Sequence, residues 1–284
     1  MRTTLLVLLV GACSAITAEA ASAQTRPGFE VNAELLDYSY RERLDGDIVV
    51  RDDGGFVGIG ATYVETIGGG VLLRARLNVA LGSVDYRGPA GGIDGFAAQD
   101  SRIDDVSQSF GQLELHLAKD FALGGATLTP FVGIGSRYLE DESGGETTED
   151  GLLGYDREVS FAYVPIGMSA RLPLSSSRAA TLVLSGQYNI VTHGTAESKF
   201  SRIDPSFPDV EVDLEGGSGF ELSALVSLPL GSRSVSFGPF VRRWSIDRSR
   251  SFVLADPEGG GDAIEFFEPT NDTTEFGLRA AFGF

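Results

Sequence analysis

The stretch VLLRARLNVAL, residues 71–81, alternates from one residue to the next. Val71, Leu73, Ala75, Leu77, Val79 and Leu81 share one face, and Arg74, Arg76 and Asn78 share the other. A period of two marks a β-strand with one face against an apolar medium. Strands of soluble sandwiches alternate too, but they average about 5–6 residues. A run this long is enough to cross a bilayer at a tilt.

The pattern recurs from Phe29 to the last residue. Ten segments lie near 29–40, 56–66, 70–86, 109–121, 126–138, 158–173, 180–192, 219–230, 234–246 and 274–284. Tight turns at Ile67 to Gly70, Ala122 to Gly125, Leu174 to Arg178 and Gly231 to Arg233 alternate with long connections near 41–55, 87–108, 139–157, 193–218 and 247–273. An even strand count with short turns on one side and long loops on the other predicts an all-β, transmembrane antiparallel barrel. Such a barrel sits in the outer membrane of a Gram-negative cell, with short periplasmic turns, periplasmic termini and long extracellular loops. Aromatics near the loop ends predict a girdle. Tyr38, Tyr40, Tyr86, Tyr138, Tyr188 and Trp244 stand before long loops, and Phe56, Phe110, Phe161, Phe220 and Phe276 after them. The parity of 234–246 stays open, because both faces of that strand are partly apolar.

The final segment, EFGLRAAFGF, places Phe276, Leu278, Ala280, Phe282 and Phe284 outward and Glu275, Gly277, Arg279, Ala281 and Gly283 inward. A barrel closes by pairing its last strand with its first, which leaves no unpaired edge in lipid. The ending Phe282-Gly283-Phe284 resembles the C-terminal signature of outer-membrane barrels. That resemblance implies recognition of Phe282 and Phe284 by the insertion machinery.

Residues 1–23 read as a signal peptide: Arg2, an apolar run from Leu5 to Ile16, and Ala21-Ser22-Ala23 before a mature start at Gln24. The barrel then occupies 24–284. Val10-Gly11-Ala12-Cys13 also resembles a lipobox, so lipidation at Cys13 stands as the other route. Cys13 is the single cysteine, so the mature chain holds no disulfide. The formal charge of −18 repels phosphate backbones and argues against nucleic acid. The expected surroundings are outer-membrane lipid and lipopolysaccharide.

The inward positions carry a polar set. Glu34, Arg74, Arg76, Glu114, His116, Gln187, Ser223 and Arg279 fall in the lumen, most of them at similar depth. Side chains fill a barrel of about eight strands, so this set predicts a charge-paired plug, with an ion or proton path as the alternative. His193, by parity with Gln187 and Asn189, falls on the lumen face at the outer rim, where a carboxylate could poise it to activate water. Asp85 points outward with Leu81 unless a bulge intervenes.

The loops are acidic. Glu140, Asp141, Glu142, Glu146, Glu149 and Asp150 crowd one loop, and Asp256, Glu258, Asp262, Glu265 and Glu268 another. In DVEVDLE, 209–215, Asp209, Glu211, Asp213 and Glu215 alternate with Val210, Val212 and Leu214. This predicts a β-extension whose carboxylates are candidates for Ca²⁺. There is no EF-hand spacing, P-loop, Gly-x-Ser-x-Gly element or zinc-ligand pattern, and no metal or cofactor is otherwise expected.

Gly133-Ile134-Gly135-Ser136-Arg137-Tyr138, Tyr163-Val164-Pro165-Ile166-Gly167 and Ser185-Gly186-Gln187-Tyr188 resemble the middle region of the omptin proteases. The resemblance implies ten strands, five long loops and a rim site. Omptins carry an Asp two residues before the catalytic His, where this chain has Val191 before His193. They also carry two alternating Asp residues, where this chain has Ser83 and Asp85. The catalytic pattern is not matched. The leading expectation is a non-enzymatic barrel acting at the surface in binding, adhesion or envelope integrity. A hydrolase with a rearranged site near His193, and a narrow channel or small-ligand transporter, stand as alternatives.

Overall fold

The computed structural model describes residues 28–88, 101–149, 151, 153–174, 180–203, 205, 208–254 and 264–284. The predicted signal peptide, Cys13, and the acidic residues Asp150, Asp256, Glu258 and Asp262 lie outside them. The strands are β1 Gly28–Leu44, β2 Asp47–Gly68, β3 Val71–Gly88, β4 Ser101–Lys119, β5 Phe121–Leu123, β6 Ala126–Glu142, β7 Asp156–Pro173, β8 Thr181–Lys199, β9 Val210–Leu214, β10 Gly217–Leu230, β11 Arg233–Ile246, β12 Phe252–Leu254, β13 Ile264–Phe266 and β14 Thr270–Gly283. One short 3-10 turn, Phe200–Arg202, follows β8. No helix among the described residues is long and apolar enough to cross a membrane.

Ten strands form a closed antiparallel ring in the order β1, β2, β3, β4, β6, β7, β8, β10, β11, β14. β14 returns to β1 and closes it, with Glu34 opposite Arg279 and Leu35 opposite Leu278. The Phe284 N–H donates to Phe29 O at 2.8 Å at the same seam. β5 pairs beside β6, β9 adds to the far end of β8, and β12 pairs with β13 as a separate hairpin.

Alternation sets the two faces. Leu35, Ile59, Leu77, Leu81, Leu115, Ile134, Ile190, Phe276 and Leu278 are exposed, forming an apolar outer belt. The intervening residues point inward and are buried. Beyond the belt, the outward positions turn charged. Glu140, Glu158, Glu197 and Glu211 sit abreast on β6, β7, β8 and β9. Lys199 pairs with Glu158 among them.

One end of the barrel is trimmed by tight glycine turns. The other is extended, because most strands outrun the belt. The predicted long connection near 41–55 is instead the joined ends of β1 and β2, turning at Asp45-Gly46. Both turn residues have positive φ, 51° and 94°, the requirement of a two-residue hairpin. Tyr40, Glu42, Val50 and Asp52 keep alternating inward here, so pairing continues past the belt. The span 193–218 is likewise largely ordered. β8 runs to Lys199 and β9 covers it, with Val210, Val212 and Leu214 buried and Glu211 and Asp213 exposed.

The aromatics correct a second expectation. Tyr38, Tyr40, Phe56, Phe110, Phe161 and Trp244 do not form a lipid girdle; all six are buried inside. Proximity to a loop suggested the girdle, but parity decides the face, and these side chains share it with the lumen residues of their own strands. The aromatics that do face outward include Tyr138, Tyr188 and Phe276 near the extended end, and Phe29, Tyr63, Phe237 and Phe284 elsewhere. Parity of β11 is resolved as well: Ser236, Phe240, Arg242, Trp244 and Ile246 point in, and Phe237 points out.

Candidate functional site in the barrel lumen

The mid-lumen is built from four arginines and four glutamates. Arg76 donates to Glu114 at 3.0 Å and to Glu221 at 3.0 Å. Arg279 donates to Glu34 at 2.7 Å and to Glu221 at 3.2 Å. Arg242 donates to Glu221 at 3.2 Å and also to Glu275. Arg137 donates to Glu275 at 2.5 Å. The formal charges cancel. Glu114 is the best-served acceptor, taking further bonds from Gln187 at 2.6 Å, Tyr163 at 3.0 Å and Gln112 at 3.1 Å.

Two ties cross the lumen. Arg76 stands on β3 and Glu221 on β10. Between them lie β4, β6, β7 and β8 one way round, and β2, β1, β14 and β11 the other, so the strands are diametrically opposed. Arg137 on β6 and Glu275 on β14 oppose each other in the same way. Buried charges are tolerable only when paired and hydrogen-bonded. Here every carboxylate meets at least one guanidinium.

An aromatic layer lies on the network. Tyr38, Phe56 and Phe110 meet at centroid distances of 4.9 and 5.4 Å. Trp244 meets Tyr163 edge-on at 4.9 Å and Phe161 at 5.0 Å. The Arg137 guanidinium lies 4.3 Å from the Phe110 centroid, joining charge to ring. Toward the extended end, a polar layer follows. Arg157 donates to Glu42 at 2.9 Å and also to Glu268. Gln108 donates to Asp141 at 2.6 Å and approaches Asp52 at 3.4 Å. A cavity of only about 30 Å³ remains between these layers. At the turn end the lumen instead opens into a chamber of about 650 Å³.

Of the residues read from the sequence, Glu34, Arg76, Glu114, Gln187 and Arg279 meet in this network. His116 is fully buried, stacked on Phe131 at 4.6 Å, with Nε2 a long 3.4 Å from Glu114. Arg74 and Ser223 line the chamber below. Three members were missed, Arg137, Glu221 and Arg242, and Glu275 was read as inward but not joined to the polar set. Arg137 could have been found from its alternation with Gly133 and Gly135. Arg242 could not, because its strand offers no clear parity.

His193 is corrected. Ala162 pairs with His193 but Tyr163 pairs with Val191, so Thr192 is an extra residue in β8. Thr192 Oγ1 donates to Ala162 O at 3.1 Å and holds this bulge. The bulge reverses parity. Val191 is buried and His193 is exposed on the outside. Asp85 lies on β3, away from His193 on β8, and pairs with Arg102 at 3.1 Å.

The candidate cation ligands are also apart. Asp209 accepts from the Ser201 N–H at 3.0 Å, and Glu215 pairs with Arg250 at 2.8 Å. Alternate positions on an extended strand are about 7 Å apart. Among the described residues no group of three or more acidic, His or Cys side chains could hold a metal ion.

Glu268 precedes β14, beyond the belt. Burial pushes its carboxyl from 4.5 up to about 7; Arg157 opposes this, but that guanidinium is shared with Glu42, which adds to the rise. A raised value in the folded state means stability present below about pH 4.5 and lost as pH rises through about 7. Limited proteolysis of the extended end is therefore expected to be slower at pH 5 than at pH 8. Glu268→Gln should flatten that difference.

No family model matches the chain, and no curated relative is matched. Solved structures are matched in fold. The outer membrane protease OmpT from Escherichia coli aligns over 90% of this chain and 96% of its own, with a TM-score of 0.57 and 10% identity. Neisserial surface protein A aligns over 89% and 96% at a TM-score of 0.33 and 10% identity. A major outer membrane protein from Thermus thermophilus aligns over 90% and 99% at 0.36 and 14%. The chain is a closed ten-stranded antiparallel barrel, similar in fold to the outer membrane protease. The omptin resemblance is a weak one of fold.

Proposed function

We propose that this chain is a closed, non-conducting barrel of the outer membrane, whose work is done at its two ends rather than through its bore. The observation that carries this reading is the neutral mid-lumen network tied across opposed strands, with an aromatic layer on it. The tight turns and termini face the periplasm and the extended hairpins face outward, as in bacterial barrels generally. The extended end then stands among lipopolysaccharide headgroups, with acidic loops available for binding, adhesion or an envelope role. Residues 1–23 are removed on export, and Phe282 and Phe284 address the chain to the insertion machinery.

The test is single-channel recording in planar bilayers. Folded protein is expected to give no current steps. A double variant, Arg137→Ala with Trp244→Ala, removes one cross-lumen tie and the largest ring of the layer and should give discrete openings. Steps from the unaltered protein would overturn the reading in favour of a channel. A hydrolytic reading, suggested by the protease of similar fold, finds no support from His193, which points away from the lumen. Peptide cleavage by the refolded protein, lost in His193→Ala, would restore it.

A further inference from the structure

The 650 Å³ chamber at the turn end is of ligand size and differs in chemistry from the network above it. Arg74, Arg171 and Arg233 line it. Among the described residues none of the three is in a salt bridge, whereas all four network arginines are. Glu30 is the carboxylate lining the chamber outside the network, and Asp120, held by the Thr129 hydroxyl at 2.6 Å, lies near enough to act on Arg74 and Arg171 without lining the chamber. The excess is positive, inside a chain whose formal charge is −18.

The position of each group is fixed by its strand. Arg74 stands on β3 and Arg171 on β7, both at inward positions. Arg74 is steadied over the Phe131 ring at 5.3 Å. Ser223 and Ser227 stand on β10, the strand opposite β3. Ser185 on the neighbouring β8 extends that hydroxyl wall. Asn32, also lining the chamber, holds a buried Oδ1 with no hydrogen-bond partner. Guanidinium forks match the oxygens of phosphate or carboxylate, and hydroxyls both donate to and accept from a hydroxylated body.

We infer that the chamber is a binding site for a small phosphate monoester on a polyhydroxylated body, entering from the turn end. Arg74 and Arg171 take the phosphate, and the β10 serines with Asn32 take the hydroxyls. A dianion offsets the excess charge. The inference concerns an end of the barrel and adds a ligand to the closed-barrel reading. Binding to detergent-purified protein does not depend on whether the bore conducts, so the two ideas fail separately.

The test is isothermal titration of refolded full-length protein in a nonionic detergent with glycerol 3-phosphate, inorganic phosphate and glycerol. Glycerol 3-phosphate is expected to bind at least tenfold more tightly than inorganic phosphate, and glycerol not at all. Arg74→Gln with Arg171→Gln should weaken binding at least tenfold, with Arg74→Lys and Arg171→Lys intermediate. Arg250→Gln, at the far end, should change nothing. Phenylglyoxal labelling of the unaltered protein, mapped by mass spectrometry, should be slowed at Arg74 and Arg171 by glycerol 3-phosphate, independently of how the variants fold. Absence of binding, equal binding of glycerol, or unprotected labelling would overturn the site. Equal binding of inorganic phosphate would overturn the role of the hydroxyl wall.

Discussion

Removal of residues 275–284 is expected to abolish the folded barrel. β14 pairs with β1 from Glu30–Gly283 to Arg43–Thr270, and with β11 from Ser234–Gly283 to Ile246–Asn271. Truncation leaves β1 and β11 facing each other across a gap with their backbone groups unpaired in lipid. Each unsatisfied group there costs several kcal/mol, and a row of them has no substitute partner. Glu275 and Arg279 go as well, which strands Arg137 in the lumen and leaves Arg242 without one of its carboxylates. Heat-modifiable electrophoretic mobility and far-ultraviolet circular dichroism after refolding would check this. The truncated chain should show no compact band. A single substitution, Phe284→Ala, keeps both ladders and should refold in detergent, which separates closure of the ring from any targeting role of the last residue.

Glu221→Leu is expected to be the most damaging single change in the network. Three arginines, Arg76, Arg242 and Arg279, share this one carboxylate. Breaking a buried pair from one side costs about 3–5 kcal/mol, because the partner's charge is left without compensation. Each of these arginines keeps a second carboxylate, Glu114, Glu275 or Glu34, but the lumen is left with one positive charge in excess, and a cost within that range is expected in urea unfolding from detergent micelles. The companion variant Glu221→Leu with Arg242→Leu removes one charge of each sign. It should recover part of the loss, and the recovery measures the coupling of the pair. If Glu221→Leu unfolds at the same urea concentration as the unaltered protein, the network is not a source of stability.

The outer face was the legible part of this molecule. VLLRARLNVAL and EFGLRAAFGF read correctly because lipid tolerates only apolar residues along a continuous belt, so the outward positions are constrained one by one. The inner face is looser, since an arginine, a tyrosine or a phenylalanine is equally at home there once it is paired or packed. That is why Arg76, Glu114 and Arg279 could be named, while Trp244 was mistaken for a lipid-facing ring. His193 failed for another reason. A bulge of one residue leaves no mark in composition, and Thr192 is an ordinary strand former. The length of β1 and β2 was hidden by Asp and Gly residues at 45–47 and 52–55, which read as a loop. They are in part a two-residue turn and in part the inward carboxylate Asp52 and the glycines that neighbour it.

The opposed ties of Arg76 to Glu221 and Arg137 to Glu275 bear on the order of assembly. Neither pair can meet while the sheet is an open ribbon, because its members stand half a circumference apart. Until the seam shuts, Arg137 has no carboxylate partner, and Arg76 and Glu221 keep only the neighbours Glu114 and Arg242 on adjacent strands. A partly inserted sheet is therefore a high-energy species with no resting point, and closure releases many interactions at once. Folding of this chain in membranes should be all-or-none, with a barrier set by bringing the two seam strands together rather than by any one hairpin.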